Sequence, residues 1–186
     1  MDKRVLLEKL VGDRIYIKKH DIQLAKMMFD YVQEDRDRLD RFFPWVEFIK
    51  TLEDEEGYIH STHEKWDNYT GFDYGIFKKD DDVYIGNIGV HSIRWSHNCA
   101  ELGYWILGKF ERQGFMSEAV QLLEKHLFEM GFHRVQIRCS DINVRSAGVP
   151  ERCGYVYEGT AREDAIEKGK YRNTRTYSKL AHEANF

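Results

Sequence analysis

Backbone amide groups around one glycine are placed to bind an anion. Gly114 follows an apolar run that ends near Leu107 and precedes a long segment with helical spacing. The amides of a helix's first turn have no partner within the helix, and the helix dipole adds partial positive charge there. Glycine lets the backbone approach a ligand because it has no Cβ. This loop is therefore a candidate site for a pyrophosphate-like anion, formed by Arg112, Gln113, Gly114, Phe115, Met116 and Ser117.

Alone, the glycine signal is weak, because one glycine between a strand and a helix most often marks only a turn. The segment also lacks the Gly-Lys-Ser/Thr ending of a P-loop. Asn143 and Ser146 raise the same question, since an Asn or Ser ahead of a helix is usually an N-cap. Capping and ligand binding both stay open at this point.

Other side chains with chemical potential have less support. His60 and His63 are three residues apart, but no cysteine or carboxylate stands at metal-ligand spacing from them, so we expect no metal site. Three cysteines without paired spacing, at 99, 139 and 153, predict free thiols rather than disulfides. We interpret Cys139 and Cys153 as core residues.

The elements around the glycine are the clearest in the chain. Apolar residues recur every three or four positions from Met116 to Met130, which predicts an amphipathic helix that Gly131 ends. An aromatic, branched segment from Cys99 to Leu107 predicts the strand before it. The pattern predicts a strand from Arg134 to Cys139 and a helix from Ser146 to Cys153 after it.

The remaining segments complete a layered fold. Helical spacing follows Asp21 and an acidic first turn begins near Leu52, while the stretch between Trp45 and Leu52 is irregular. Further strands are predicted at 14–18, 74–77, 83–90, 155–161 and 174–180, with a polar hairpin turn at 79–82. The order predicts an α/β or α+β architecture, a mixed sheet of about seven strands with helices on its faces.

Composition restricts the class of protein. The chain has 186 residues, of which 42% are hydrophobic and 32% are charged. This length and composition predict a single folded domain over 1–186. A net charge of −4 disfavours general nucleic-acid binding. The first residues are too interrupted for a signal peptide and no run is long enough for a membrane span, so we expect a cytoplasmic protein without membrane contact.

Two motifs together carry a family resemblance. The run Ala-Glu-Leu-Gly-Tyr-Trp-Ile at 100–106, followed by the glycine loop, resembles the cofactor region of the GNAT N-acetyltransferases, in particular the RimJ/RimL-type branch. The stretch from Asn143 to Tyr155 resembles the family's Asn-x-x-Ser segment, helix and Gly-Phe/Tyr. Glu111 and Met116 depart from the family's loop pattern, in which those positions are Gln/Arg and Gly/Ala.

The resemblance implies acetyl-CoA as the cofactor and a role for several residues. It implies a mostly antiparallel sheet whose splayed strand pair forms the cofactor cleft. The backbone of Trp105, Ile106 and Leu107 would contribute the donor to the thioester oxygen, and Asn143 would hydrogen-bond the pantetheine arm. Glu101 is the candidate base, and Ser146 the candidate acid for the departing thiolate. Tyr104 and Tyr155 are alternative acids.

The acceptor is less well defined than the cofactor. An α-amine has a pKa of about 7.7–8.0 against about 10.4 for lysine, so a modest base suffices for a protein N-terminus, and the branch's ribosomal-protein acceptors fit that chemistry. The run from Phe42 to Trp45 is a candidate acceptor-side wall. Alternatives are a small amine such as a polyamine, antibiotic or aminoacyl metabolite, or a non-catalytic acyl-CoA-binding module. A homodimer also stays open.

Overall fold

The computed structural model describes residues 2–184. The strands are β1 (Lys9–Val11), β2 (Ile15–Lys19), β3 (Phe72–Lys78), β4 (Tyr84–Arg94), β5 (Cys99–Ile106), β6 (Arg134–Ser140), β7 (Val156–Glu167) and β8 (Lys170–Leu180). The α-helices are α1 (Ala25–Glu34), α2 (Arg36–Leu39), α3 (Leu52–Asp67), α4 (Phe115–Glu129) and α5 (Val144–Arg152). Short 3-10 turns cover Ile22–Leu24, Pro44–Phe48, Trp95–His97, Gly108–Phe110 and Ala181–Glu183.

All of these strands join one mixed sheet in the order β1-β2-β3-β4-β5-β6-β8-β7. Among residues 2–184, the single parallel pairing joins β5 to β6, and the others are antiparallel. A parallel neighbour needs a crossover connection, which α4 supplies between β5 and β6. The predicted mixed α/β fold with a mostly antiparallel sheet is confirmed.

Helices cover the sheet through two hydrophobic clusters. One contains the buried side of α4, including Val120, Leu123 and Leu127, together with Ala147 and Val149 of α5. The other contains buried residues of α1, α2 and α3 and one side chain near the end of β5; its members include Met28, Val32, Leu39, Ile59 and Trp105. The three- and four-residue spacing of α4 is therefore the spacing of its buried face.

Element boundaries follow recognisable local signals. The Asp21 side chain accepts from the amide of Gln23, as an N-cap does. Thr51 and Asp54 form a reciprocal capping box at the start of α3, which begins at Leu52 as predicted. Gly131 follows α4 with a φ of 97°, a conformation that glycine adopts without strain.

The structure also differs from the sequence prediction in extent. Residues 2–184 form eight strands, one more than predicted, because Lys9–Val11 pairs with β2. The last two strands are longer than predicted and form a hairpin over Val156–Leu180. The fifth helix starts at Val144, two residues before the predicted Ser146, and the irregular stretch after Phe43 is a 3-10 turn.

Candidate active site

A cleft opens where two neighbouring strands separate. The parallel pairing of β5 with β6 begins at Cys99 and Arg134 and ends at Leu102 and Ile137. Beyond that point β5 still pairs with β4 as far as Ile106, but it no longer pairs with β6. Among residues 2–184, the backbone edge that β5 turns toward β6 has no strand partner beyond Leu102, so it can pair with an extended ligand. The cavity at this opening has a volume of about 690 Å³.

The glycine loop lies at the end of this opening and leads directly into α4. Gly114 is the residue before the helix and has a φ of 83°, in the left-handed region that favours glycine. Arg112 is also left-handed, with a φ of 61°. The amides of Phe115, Met116 and Ser117 form the first turn and lack helical partners. Five of the six predicted loop residues line the cleft: Arg112, Gly114, Phe115, Met116 and Ser117.

One arginine from the start of β2 holds the loop from behind. Arg14 donates through Nη1 to the carbonyl of Gln113 at 2.9 Å and through Nε to Glu118 at 3.0 Å. Glu118 lies in the first turn of α4 and also accepts from the backbone amides of Arg14 and Ile15. The loop is therefore tied to the sheet edge, with its cleft side left open.

Glu111 does not present a bare negative charge to the cleft. Its carboxylate accepts from Arg38 Nη1 at 2.6 Å and from Arg145 Nη1 at 2.9 Å. Only 18% of the Glu111 side chain is exposed, whereas 58% of Arg145 is. The charge that departs from the family pattern is therefore neutralised by two guanidinium groups.

The cleft lining is strongly basic although the chain is acidic overall. Of the described residues around the cavity, five are arginines and one is a carboxylate, Glu111. The arginines are Arg38, Arg41, Arg112, Arg145 and Arg152. Clustered arginines lower the energy of an anionic ligand and bind phosphate oxygens through paired N–H donors. The sequence's net charge gave no indication of this local field.

The start of α5 forms the wall opposite β5. Asn143 and Ser146 both line the cavity. The Asn143 side chain accepts from the Ser146 amide at 3.1 Å, so it is an N-cap. The Tyr104 hydroxyl, which is on β5, donates to the Ser146 carbonyl at 3.1 Å and bridges the opening. Burial raises the pKa of Tyr104 above its usual value, so this phenol stays protonated at neutral pH.

Several predicted site residues stand apart from the lining. Trp105 and Ile106 line the cavity, but Leu107 is buried and its amide donates to the Ile85 carbonyl at 2.9 Å. The prediction of a free donor at Leu107 is therefore wrong for this structure, because β4 already holds that amide. Gln113 also lies outside the lining; its side-chain amide donates to the Lys109 carbonyl at 3.0 Å.

Glu101 lies in the paired part of β5, ahead of the opening. Its neighbours across the sheet are His91 on β4 and Gln136 on β6. Its carboxylate accepts a hydrogen bond from Gln136 Nε2 at 2.8 Å. Glu101 is not among the residues that line the cavity. A water molecule can bridge Glu101 and a group in the cleft.

The segment before the 3-10 turn at Pro44 supplies residues that sequence reasoning partly missed. Phe42 and Phe43, from the predicted acceptor-side wall, line the cavity, as do Arg38 and Arg41. The arginines gave no sequence signal, because they meet the site only through the fold.

Within residues 2–184 no cluster of histidines, cysteines and carboxylates can hold a metal. The helices in that range are all too short or too polar to cross a membrane.

A family comparison agrees with this geometry. The model of the acetyltransferase (GNAT) domain matches residues 14–156, which include β2 through the start of β7. The chain belongs to the GNAT acetyltransferase family. Membership accounts for the separated strands and for the glycine loop between β5 and α4, and it makes this chain an acetyltransferase.

Relatives of known name extend the comparison over nearly the whole chain. The ribosomal-protein-serine acetyltransferase of Escherichia coli is 26% identical over 160 residues, covering 84% of this chain and 87% of its own. The ribosomal protein uS5 alanine N-acetyltransferase of the same organism is 25% identical over 178 residues. The match covers 89% of this chain and 87% of that enzyme.

Solved structures agree in fold. RimL, a ribosomal-protein α-N-acetyltransferase in complex with coenzyme A, superposes with a TM-score of 0.87 at 19% identity, covering 97% of this chain and 100% of its own. The microcin self-immunity acetyltransferase MccE, in complex with acetyl-CoA and AMP, superposes with a TM-score of 0.87 at 21% sequence identity. The match covers 91% of this chain and 93% of MccE.

Proposed function

We propose that this acetyltransferase moves an acetyl group from acetyl-CoA to the N-terminal α-amine of a protein, with a ribosomal protein as the leading acceptor. The observation that carries the proposal is the separation of β5 from β6 beyond Leu102, which opens a cleft lined by five arginines. Such a cleft suits a long ligand with an extended amide arm at one end and phosphates at the other.

The residues present fit acetyl-CoA. Arg112 and the first-turn amides of α4 face the cavity, where they would hold the pyrophosphate. The edge that β5 turns toward the cleft, where the Ile106 amide lies, would pair with the pantetheine arm, and the Asn143 amide group would donate to it. When bound, acetyl-CoA supplies an acetyl group activated as a thioester.

The chain's own groups would then move protons. Glu101 accepts the proton of the incoming amine through a water molecule, since its carboxylate lies outside the cavity lining. Ser146 protonates or hydrogen-bonds the departing thiolate from the opposite wall. Tyr104 is close enough to take part, because its hydroxyl is hydrogen-bonded to the Ser146 carbonyl at 3.1 Å.

Two observations favour a protein N-terminus as the acceptor. The curated relatives described above are named for acetylating serine and alanine of ribosomal proteins. In addition, Arg41 lines the cavity next to Phe42 and Phe43 of the proposed acceptor-side wall, and its positive charge disfavours polyamines and aminoglycoside-like antibiotics. A peptide with one α-amine avoids most of that repulsion.

Calorimetric titration with acetyl-CoA, followed by measurement of thiol release, tests the proposal. With peptides that begin with Ser or Ala, the enzyme should release coenzyme A much faster than it does with spermidine at equal concentration. Acetyl-CoA binding with faster release on spermidine would support the small-amine alternative. Acetyl-CoA binding without release on any amine would support a non-catalytic binding module.

A further inference from the structure

The short helix α2 lies between two parts of the site that are far apart in sequence. It contains only four residues, Arg36–Leu39, and its two arginines have different partners. Leu39 is fully buried and anchors the helix in the core. Leu39 therefore fixes the backbone from which both arginine side chains extend.

Arg38 contacts the end of β5 and the cofactor loop. Its Nη2 donates to the carbonyl of Ile106 at 2.5 Å, and its Nη1 donates to Glu111 at 2.6 Å. Its Nε donates to Asp35 at 2.8 Å, and Asp35 in turn accepts from the Gly108 amide at 2.8 Å. One side chain thus meets three points between residues 106 and 111, directly or through Asp35.

The peptide group that joins Ile106 to Leu107 is consequently held on both sides. Its carbonyl accepts from Arg38, and its N–H donates to the carbonyl of Ile85 on β4 at 2.9 Å. This peptide group lies where β5 ends and the cofactor loop begins. Only 26% of the Arg38 side chain is exposed, so these charge-assisted bonds are partly shielded from water.

Arg36, two residues earlier, has a different set of partners. It donates to the carbonyls of Val46 and Ile49 and to the side chain of Gln33. These contacts hold the 3-10 turn after Phe43, and no bond joins Arg36 to the cofactor loop within the described residues. The helix therefore provides a matched control, because the residues that Arg36 contacts do not line the cavity, whereas Ile106 and Glu111, which Arg38 contacts, do.

We propose that Arg38 is a positioning residue that fixes the end of β5 and the cofactor loop in the geometry that binds acetyl-CoA. This inference rests on the proposed function and adds a residue outside the family motifs. Glu111 is the loop-side partner of Arg38, and its departure from the motif pattern makes this contact possible. The preorganised loop binds the cofactor without first being ordered, which is how such a contact increases affinity.

Binding of acetyl-CoA to the full chain should be measured by calorimetry for the wild type, Arg38→Gln and Arg36→Gln. We expect Arg38→Gln to weaken binding by about tenfold, the effect of losing charge-assisted bonds. Arg36→Gln should stay within about twofold of the wild type, since it leaves the loop contacts intact. Steady-state kinetics with a Ser-first peptide should show the same division, with KM for acetyl-CoA raised only by Arg38→Gln.

A coupling measurement separates positioning from general stability. Arg38→Gln combined with Glu111→Gln should weaken binding by less than the sum of the two single effects, because the Arg38–Glu111 contact is already lost in either single variant. If Arg38→Gln does not fold, Glu111→Gln alone provides the test, with the same weakening expected. Unchanged affinity in these variants, with a binding wild type, would overturn only this inference. A wild type that does not bind acetyl-CoA would overturn the proposed function as well.

Discussion

The backbone amide of Ser146 donates a hydrogen bond to the side-chain oxygen of Asn143 across 3.1 Å. This bond caps the first turn of α5 at the wall of the cleft. Because capping uses the Oδ1 atom, the two donors on Nδ2 are the atoms that can serve a ligand. The structural and the ligand-binding roles of Asn143 therefore belong to different atoms, and substitution can separate them.

Asn143→Ser keeps a capping oxygen and removes the amide donors. We expect the free energy of unfolding to change by less than about 1 kcal/mol, since Ser caps helices nearly as well as Asn. Acetyl-CoA affinity should fall about tenfold if the lost donor binds the pantetheine arm. Calorimetry and chemical denaturation measure the two effects, with Asn143→Ala as the variant that also loses the cap. Unaltered affinity in Asn143→Ser would leave Asn143 with a capping role only.

Ser146→Ala tests the proposed acid. The cap uses the Ser146 backbone amide, so the substitution should leave thermal stability nearly unchanged. We expect kcat to fall by about 10²-fold and acetyl-CoA affinity to stay the same, as for loss of general acid catalysis. Tyr104→Phe is the control, because the Tyr104 hydroxyl contacts the same turn. A large loss of kcat in Tyr104→Phe with none in Ser146→Ala would assign the acid to Tyr104.

Glu101→Gln tests the proposed base. The substitution keeps the size of the side chain and removes its charge, and an amide can still accept from Gln136 Nε2. We expect kcat to fall by about 10²-fold at neutral pH, with recovery at higher pH where the acceptor amine is already neutral. Gln136→Ala, which removes only the hydrogen bond, should have a smaller effect. Wild-type kcat in Glu101→Gln would exclude Glu101 from the mechanism.

Local patterns were sufficient for the elements that position the site. The spacing of Val120, Leu123 and Leu127 predicts α4, and the structure buries all three side chains. Gly114 stands where the loop needs a left-handed residue, with a φ of 83°. Such features depend on neighbours within a few residues, and the sequence displays those neighbours directly.

Contacts between distant residues were not predictable in the same way. Arg38 and Glu111 are 73 residues apart, and no periodicity relates them. The sequence shows that Glu111 departs from the family's loop pattern, but only the fold shows which guanidinium groups neutralise its charge. The first strand was missed because three residues give too short a pattern for an alternation to appear.

Gly114→Ala tests whether the loop conformation matters. A Cβ there would lie 3.2 Å from Arg14 Nη2, and the φ of 83° is strained for alanine. We expect stability to fall by about 1 kcal/mol and acetyl-CoA affinity to fall as the loop shifts. Gly57→Ala is the matched control: Gly57 is inside α3, and nothing lies within 4 Å of its added Cβ. That change should stabilise the protein by about 0.5–1 kcal/mol and leave affinity unaltered.

Glu55 gives the chain a pH-dependent stability unrelated to the cleft. The residue is on α3, only 2% exposed, and its Oε2 has no hydrogen-bond partner among residues 2–184. Burial raises the pKa of this carboxyl to about 7 in the folded state. Between the unfolded pKa near 4.3 and about 7, the unfolded chain ionises first, so this group's contribution becomes less favourable as pH rises.

Glu55→Gln removes that ionisation and keeps a side chain of similar size. At pH 8 we expect the variant to be more stable than the wild type by about 1–3 kcal/mol, because the wild type ionises a buried carboxyl. At pH 4.5 the two proteins should unfold at nearly the same temperature, since Glu55 is then protonated when folded. Thermal unfolding between pH 4.5 and pH 8 measures the difference, with the exposed Glu53→Gln as control. A stability difference independent of pH would show that Glu55 does not titrate in this range.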